Sequence, residues 1–105
     1  MADAIDILID LHCSADNVND REAFKRAVLS RENEMSTALV SGIALPHAKA
    51  SCVKRPALAK ITLKTPVKWH DETVGTVYML ASPDDSAHIK MLSALADYLQ
   101  SEGNN

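Results

Sequence analysis

The run TVYMLAS, residues 76–82, constrains the fold more than any other stretch of this chain because it is almost continuously apolar. A strand with one face in water alternates apolar and polar residues, whereas a continuous apolar run of strand length is typical of a strand covered on both faces. Amphipathic helices packed on a sheet provide such cover. The sequence therefore predicts a buried strand here, with helices around it.

Two segments in the first third of the chain have the helical spacing that such a cover requires, at 2–12 and 20–33. Asn19 is the predicted N-cap of the second helix, and Glu22 three residues later completes a capping-box pattern. Arg31 continues the buried stripe of this helix into its last turn. Both helices are therefore predicted to pack by one face.

A third helix is predicted over 84–100, with Asp85 or Ser86 as its N-cap. His88 falls in the first turn, where the positive end of the helix dipole favours a neutral imidazole and free backbone N–H groups attract anions. The same position suits a half-buried core histidine, and both interpretations stay open. The predicted apolar stripe of this helix consists of Ile89, Leu92, Ala96 and Leu99.

Two further segments are β-rich, at 36–46 and 57–64. In the first, Ser41 and Gly42 predict a kink or tight turn between extended pieces, and Pro46 closes the strand because it supplies no N–H. In the second, apolar and lysine or threonine residues roughly alternate. The order of elements is helix, helix, strand pair, strand, strand, helix. Periodicity alone predicts an α/β or α+β layered domain.

Length and charge exclude several classes of protein. A chain of 105 residues forms one domain, 1–105, and its net charge of −3 argues against a nucleic-acid partner, which requires a basic face. The N-terminus lacks the pattern of a signal peptide, and no apolar run is long enough to cross a bilayer. Cys13 and Cys52 are expected to be reduced in such a chain. We expect a cytoplasmic domain without membrane insertion.

His47 follows the strand-ending Pro46, so its side chain is expected in the turn beyond the strand. In open α/β sheets ligands bind at this rim. An exposed turn histidine without a function is an equally good interpretation of the spacing alone.

Metal binding is poorly supported by the sequence. His47 with Cys52, or His12 beside Cys13, does not give the paired ligand spacing of a structural zinc site, so no metal site is predicted. We expect no functional role for the remaining histidines or for the tryptophan. Trp69 is predicted to be a packing anchor, and His12 and His70 are predicted to be surface residues.

One stretch resembles a known signature. Residues 31–49, RENEMSTALVSGIALPHAK, resemble the active-site region of the enzyme IIA domain of the sugar phosphotransferase system, fructose/mannitol (type 2) class. The matching elements are Arg-Glu, Ser-Thr, Gly-Ile-Ala and Pro-His in that order, and SAHIKMLSALADYL downstream resembles the helix that opens with the family's second histidine. The likeness extends over roughly residues 20–99.

The resemblance implies a phosphoryl carrier that works through a phosphohistidine intermediate. His47 would accept phosphate from the HPr phosphocarrier protein and pass it to a cysteine of enzyme IIB for coupled sugar uptake and phosphorylation. His88 would help hold the phosphoryl group, and Arg31 and Thr37 would support its pocket. No metal or nucleotide cofactor is needed if the donor is already a phosphohistidine.

Two other functions stay open. A regulatory IIA-like domain, nitrogen-related or attached to a transcription regulator, would accept phosphate on the same histidine but act by controlling partner binding. A shortened fold that carries no phosphate would only bind another protein.

The resemblance also implies architecture. We expect an α/β layered domain with a mixed central β-sheet flanked by amphipathic helices, shorter than the usual family domain and truncated at both ends. Since two proteins must reach His47, we expect it to be exposed within a shallow apolar rim formed by Ile43, Leu45 and Ala48.

Overall fold

A computed structural model of the chain describes residues 1–39 and 41–103. Its elements follow the predicted order. Within the described residues, none of the helices combines the length and apolar content that a bilayer span requires. The helices are α1 (Ala2–Ser14), α2 (Arg21–Glu34) and α3 (Asp85–Gly103), and the strands are β1 (Ile43–Ala44), β2 (His47–Lys49), β3 (Ala57–Trp69) and β4 (Glu72–Ser82).

Strand β4 is the central strand, as the apolar run predicts. It pairs antiparallel with β3 along one edge and parallel with β1 and then β2 along the other, which gives a mixed sheet. Residues 77–82 are all buried. Since successive side chains of a strand point to opposite faces, Met79 packs in the core with α1 and α2, while Leu80 packs against α3. The α/β layered fold is thereby confirmed.

The segment before β3 differs from the prediction at one important point. Pro46 interrupts the extended chain but does not end it, because the Pro46 carbonyl accepts a hydrogen bond from Leu80 N at 3.2 Å and pairing with β4 resumes at once. His47 is therefore the first residue of β2, opposite Leu80, and not a turn residue. The predicted kink is confirmed: Gly42 has φ +79, a conformation that favours glycine. Val40 of the predicted β-rich segment lies outside the described residues.

Both helices α2 and α3 have N-caps that differ from the prediction. Asp20, not Asn19, accepts the hydrogen bond from Ala23 N at the start of α2. At the start of α3, Asp84 Oδ1 accepts from Ala87 N at 2.9 Å. In each case the carboxylate three residues before a free amide outcompetes its neighbour.

The buried face of α3 is also rotated from the prediction. Ile89 is 67% exposed, and Ala96 is exposed as well. Helical spacing allows two overlapping stripes in this sequence, and the sheet selects the one that starts at His88. The apolar side chains of that face are Met91, Leu92, Leu95 and Leu99.

A buried carboxylate ties three parts of the fold together. Glu32, near the end of α2, is only 1% exposed. Its oxygens accept from the backbone N–H of Thr37 at 2.9 Å and from the Thr37 hydroxyl at 2.5 Å. Trp69 Nε1 and His70 Nε2, at the turn between β3 and β4, each donate at 3.1 Å. Trp69 is fully buried, which confirms it as a packing anchor.

His12 is a second buried polar group, and its predicted surface position is wrong. Its Nε2 lies 3.0 Å from the Met79 carbonyl, which can only accept, so Nε2 is protonated. The Asn17 amide donates to Nδ1 at 3.2 Å. Burial lowers the pKa of His12, and the hydrogen bond to Met79 offsets this only in part. The folded protein therefore holds this ring neutral.

This neutral ring makes stability depend on pH. We expect the free energy of unfolding to fall as the pH drops below the ordinary histidine pKa of about 6.5, because the unfolded chain then binds a proton that the folded ring excludes. The contribution is fully present above that pH and is lost towards the depressed folded pKa, with a slope of at most about 1.4 kcal/mol per pH unit. Urea unfolding between about pH 7.5 and about pH 5 measures it.

The matched variant for this test is His12→Gln, whose amide can make both hydrogen bonds without titrating. Its unfolding free energy should depend less steeply on pH than that of the wild type. Equal slopes in the two proteins would contradict the assignment to His12.

Candidate functional site

The two predicted site histidines meet at one surface cavity of about 420 Å³. The end of α2, strand β2 and the first turn of α3 form its walls. The centroids of the His47 and His88 rings lie 5.0 Å apart, with their planes tilted by 41°. The residues that line the cavity are Ala27, Ser30, Arg31, Glu34, His47, Ala48, Lys49 and His88.

His47 is half-buried, and its tautomer follows from one hydrogen bond. Its Nδ1 lies 2.7 Å from the Leu45 carbonyl oxygen, which only accepts, so Nδ1 carries the proton. The backbone of the preceding turn thus fixes both the ring and its tautomer. The other ring nitrogen, Nε2, keeps its lone pair available as a nucleophile.

A buried hydroxyl group, that of Ser82, orients the His88 ring. Its Nδ1 is 3.2 Å from Ser82 Oγ, at the end of β4, and Ser82 is fully buried. Burial lowers the pKa of His88, and electrostatic interactions with His47 and Lys49 lower it further. The ring is therefore neutral near neutral pH and can act as a hydrogen-bond partner in the cavity.

Two backbone amides of the first turn of α3 already donate within the protein. His88 is the fourth residue of α3, so its N–H donates to the Asp84 carbonyl at 3.1 Å. The N–H of Ala87 donates to the Asp84 side chain. Side chains, and not these two amides, must supply any charge stabilisation.

Two cationic side chains line the cavity. The Arg31 guanidinium donates to the Met35 carbonyl at 2.7 Å, so it closes the end of α2 while it lines the wall next to Glu34. The ammonium of Lys49, on β2, pairs with the carboxylate of Asp85 at the start of α3. Arg31 thus combines a helix C-terminal role with a place in the site.

Thr37 lies apart from the other three predicted site residues. It is buried, and its hydroxyl donates to Glu32. Thr37 is connected to the cavity from two sides. Its hydroxyl binds Glu32, which follows Arg31 in the chain, and its carbonyl accepts from Leu45 N at 3.1 Å, next to the carbonyl that binds His47.

The predicted apolar rim is differently composed. Ile43 and Leu45 pack against the cluster under α3, and Ala48 is buried at 4% exposure. The exposed apolar side chains beside the site are Ile89, next to His88, and Met35, whose carbonyl binds Arg31. Ile43 and Leu45 are not part of the rim because they are needed for packing under α3, whereas Ala48 is buried and still lines the cavity.

Comparison with known proteins decides the family. The family model of the phosphoenolpyruvate-dependent sugar phosphotransferase system, EIIA 2, matches residues 1–105. The chain belongs to this EIIA family. The resemblance seen in the sequence is confirmed.

Curated relatives of the EIIA domain include much longer proteins. The PTS system fructose-specific EIIABC component of Bacillus subtilis (strain 168) is 35% identical over 103 residues, which are 93% of this chain and 16% of the relative. The transcriptional regulator ManR of the same organism is 39% identical over 84 residues, which are 79% of this chain and 13% of the regulator. The chain spans less than a fifth of either relative.

A solved structure supports the EIIA fold. The crystal structure of IIA mannitol from Escherichia coli superposes with a TM-score of 0.79 at 22% identity, over 93% of this chain and 72% of that chain. It shows the same α/β architecture.

The EIIA site contains two residues that sequence reasoning missed. Lys49 lies two positions after His47, and the period of two in a strand could have placed it on the same face. Ser82 had no sequence signal, because its contact with His88 depends on how α3 packs on β4. Among the described residues, no group of three or more His, Cys, Asp or Glu side chains is arranged to hold a metal ion.

Proposed function

We propose that this EIIA domain is a phosphoryl carrier in which Nε2 of His47 accepts phosphate from HPr and passes it to a cysteine of enzyme IIB, for coupled sugar uptake and phosphorylation. One observation supports this most strongly: the Leu45 carbonyl holds the proton on Nδ1, so Nε2 is a ready nucleophile in a ring that lines an open cavity. The domain would work in the cytoplasm with these two partners.

The transfer chemistry suits this site. The N–P bond of the donor phosphohistidine breaks as the Nε2–P bond forms, and later the Nε2–P bond breaks as an S–P bond forms on the cysteine thiolate. Nε2 has no proton to lose, so no general base is required. Phosphoryl transfer has a loose transition state, and the protein mainly positions the groups in line and stabilises charge on the oxygens. Neither metal nor nucleotide takes part.

Arg31 and His88 would provide that stabilisation. The guanidinium brings a permanent positive charge to the cavity wall formed by α2. The neutral imidazole of His88 can donate from Nε2 in the tautomer in which Ser82 Oγ donates to its Nδ1 instead of to Met91 Sδ. Thr37 would act at a distance, since its bonds to Glu32 hold the end of α2 that carries Arg31.

A regulatory role is the second candidate, and the likeness to the transcriptional regulator ManR favours it. In that case His47 would still accept phosphate, but the phosphorylated domain would change its affinity for a partner. Mixing the phosphorylated protein with enzyme IIB separates the two, because a carrier loses its label to the IIB cysteine and a purely regulatory domain keeps it.

Incubation with labelled phosphoenolpyruvate, enzyme I and HPr tests both candidates. Acid-labile phosphate on the protein supports them. A protein that stays unlabelled is a protein-binding fold without phosphoryl chemistry.

Substitution of His88 should slow transfer of the phosphoryl group to enzyme IIB more than it slows acceptance from HPr. We expect His88→Ala to accept phosphate but to transfer it to enzyme IIB about 10- to 100-fold more slowly, because a donor to the transferring oxygens is lost. Rapid-quench transfer assays measure the rate, and Ser93→Ala, an exposed position on the same helix, is the control. Onward transfer at the wild-type rate would make His88 a structural residue.

A further inference from the structure

The ion pair between Lys49 and Asp85 stands beside the two histidines and has no role in the proposed transfer. Lys49 and His47 are two positions apart on β2, so their side chains leave the same face of the strand. Asp85 and His88 are three positions apart on α3 and share a helix face. The pair therefore bridges the same two elements that bring the imidazoles together.

This pair is exposed enough to exchange partners. The Lys49 side chain is 48% exposed and that of Asp85 is 77% exposed. Exposed ion pairs of this kind contribute little to stability, because water and salt screen them. A lysine ammonium on a flexible four-carbon chain can turn to a stronger anion at little cost.

Phosphorylation of His47 would create such an anion. A phosphoryl group brings a charge of about −1.5 to −2 and three acceptor oxygens. Asp85, so close to Lys49, would then lie near a group of like charge. Lys49 lines the same cavity as His47 and already acts electrostatically on His88.

We propose that Lys49 is a phosphoryl-binding residue held in reserve by Asp85: its ammonium leaves the carboxylate for the phosphoryl oxygens when His47 is phosphorylated and returns when the group departs. This inference rests on the proposed carrier function. Asp85 then sets the affinity of the site for the phosphoryl group. A permanently free Lys49 would hold the group too tightly for onward transfer.

The exchange predicts that substitutions of Lys49 and of Asp85 shift the phosphorylation equilibrium in opposite directions. Lys49→Gln should shift the phosphorylation equilibrium with HPr about tenfold towards phosphorylated HPr, and Lys49→Arg should restore most of it. Asp85→Asn should shift the equilibrium several-fold towards the phosphorylated domain and slow transfer to enzyme IIB. Because Asp85 acts through Lys49, the double variant should match Lys49→Gln alone. If Asp85 acted only on the dipole of α3 from the first turn, its substitution would change the melting temperature instead, and the effects would add in the double variant.

The matched control is Lys54→Gln. Lys54 and Asp16 form another exposed pair, with side chains 42% and 69% exposed, which does not line the cavity. Its equilibrium with HPr should equal that of the wild type. Phosphorus NMR of the phosphohistidine adds a direct readout, since the signal should move in Lys49→Gln and stay unchanged in Lys54→Gln.

The outcomes separate the two proposals. A wild-type protein that takes no label overturns the carrier function and this inference together. A labelled wild type whose Lys49→Gln variant has the same equilibrium and the same phosphorus signal overturns only the role of Lys49. If Asp85→Asn shifted the phosphorylation equilibrium equally in the wild type and in the Lys49→Gln variant, the exchange of Lys49 between Asp85 and the phosphoryl group would be overturned.

Discussion

Substitution of His47 by glutamine is expected to reduce acid-labile phosphate on the protein to background. Glutamine can still donate to the Leu45 carbonyl from its amide, so the turn before β2 should stay folded. It cannot, however, present a nitrogen lone pair, because the amide nitrogen is delocalised and its oxygen is a poor phosphoryl acceptor. The loss is therefore chemical and not structural.

The measurement is incorporation of label from phosphoenolpyruvate through enzyme I and HPr. His70→Gln is the control, since this histidine lies on the β3–β4 turn outside the lining of the cavity, and the glutamine amide can keep its donation to Glu32. It should take up label as the wild type does, with melting curves recorded for both variants. Label that persists on His47→Gln would place the acceptor elsewhere and remove the basis of the proposed function.

The second large effect concerns stability. Glu32→Leu is expected to lower the free energy of unfolding by about 3–5 kcal/mol, because it leaves the donors of Thr37 and Trp69 buried without an acceptor. Glu32→Gln should cost much less, about 1–2 kcal/mol. Its amide oxygen can replace Oε2, and the Thr37 hydroxyl can rotate to accept from the amide nitrogen.

Chemical denaturation of the two variants measures this difference. Glu72→Gln, at an exposed position at the start of β4, is the control and should stay within about 0.5 kcal/mol of the wild type. If Glu32→Leu were as stable as the control, the carboxylate would not hold the end of α2. Since Arg31 lies on that end, Glu32→Leu should also slow phosphorylation of the folded fraction.

Local sequence patterns were sufficient to predict the order of the helices and strands and the central position of one strand. A continuous apolar run can be satisfied only with cover on both faces, so the central position of β4 followed from sequence. The three helices followed from spacing, and the Pro-His sequence together with a histidine early in the last helix indicated the family.

Periodicity could not decide which of two faces a helix buries. Ile89 and His88 both begin acceptable stripes on α3, and only the sheet, which offers Tyr78 and Leu80 on that side, selects the stripe of His88. With this face buried, the His88 ring contacts His47 and the Ile89 side chain is exposed to solvent. The candidate site therefore depends on a rotation of one helix that its own sequence does not specify.

Sequence by itself determined the type and order of the elements, the buried central strand and the two histidines, because these depend on local periodicity and on residue chemistry. Tertiary structure alone decided the burial of Glu32 and His12, the contact between the imidazoles and the pairing of Lys49 with Asp85. A polar side chain can be buried only where distant parts of the chain bring it hydrogen-bond partners. Those partners are set by packing across the sheet, which no local pattern records.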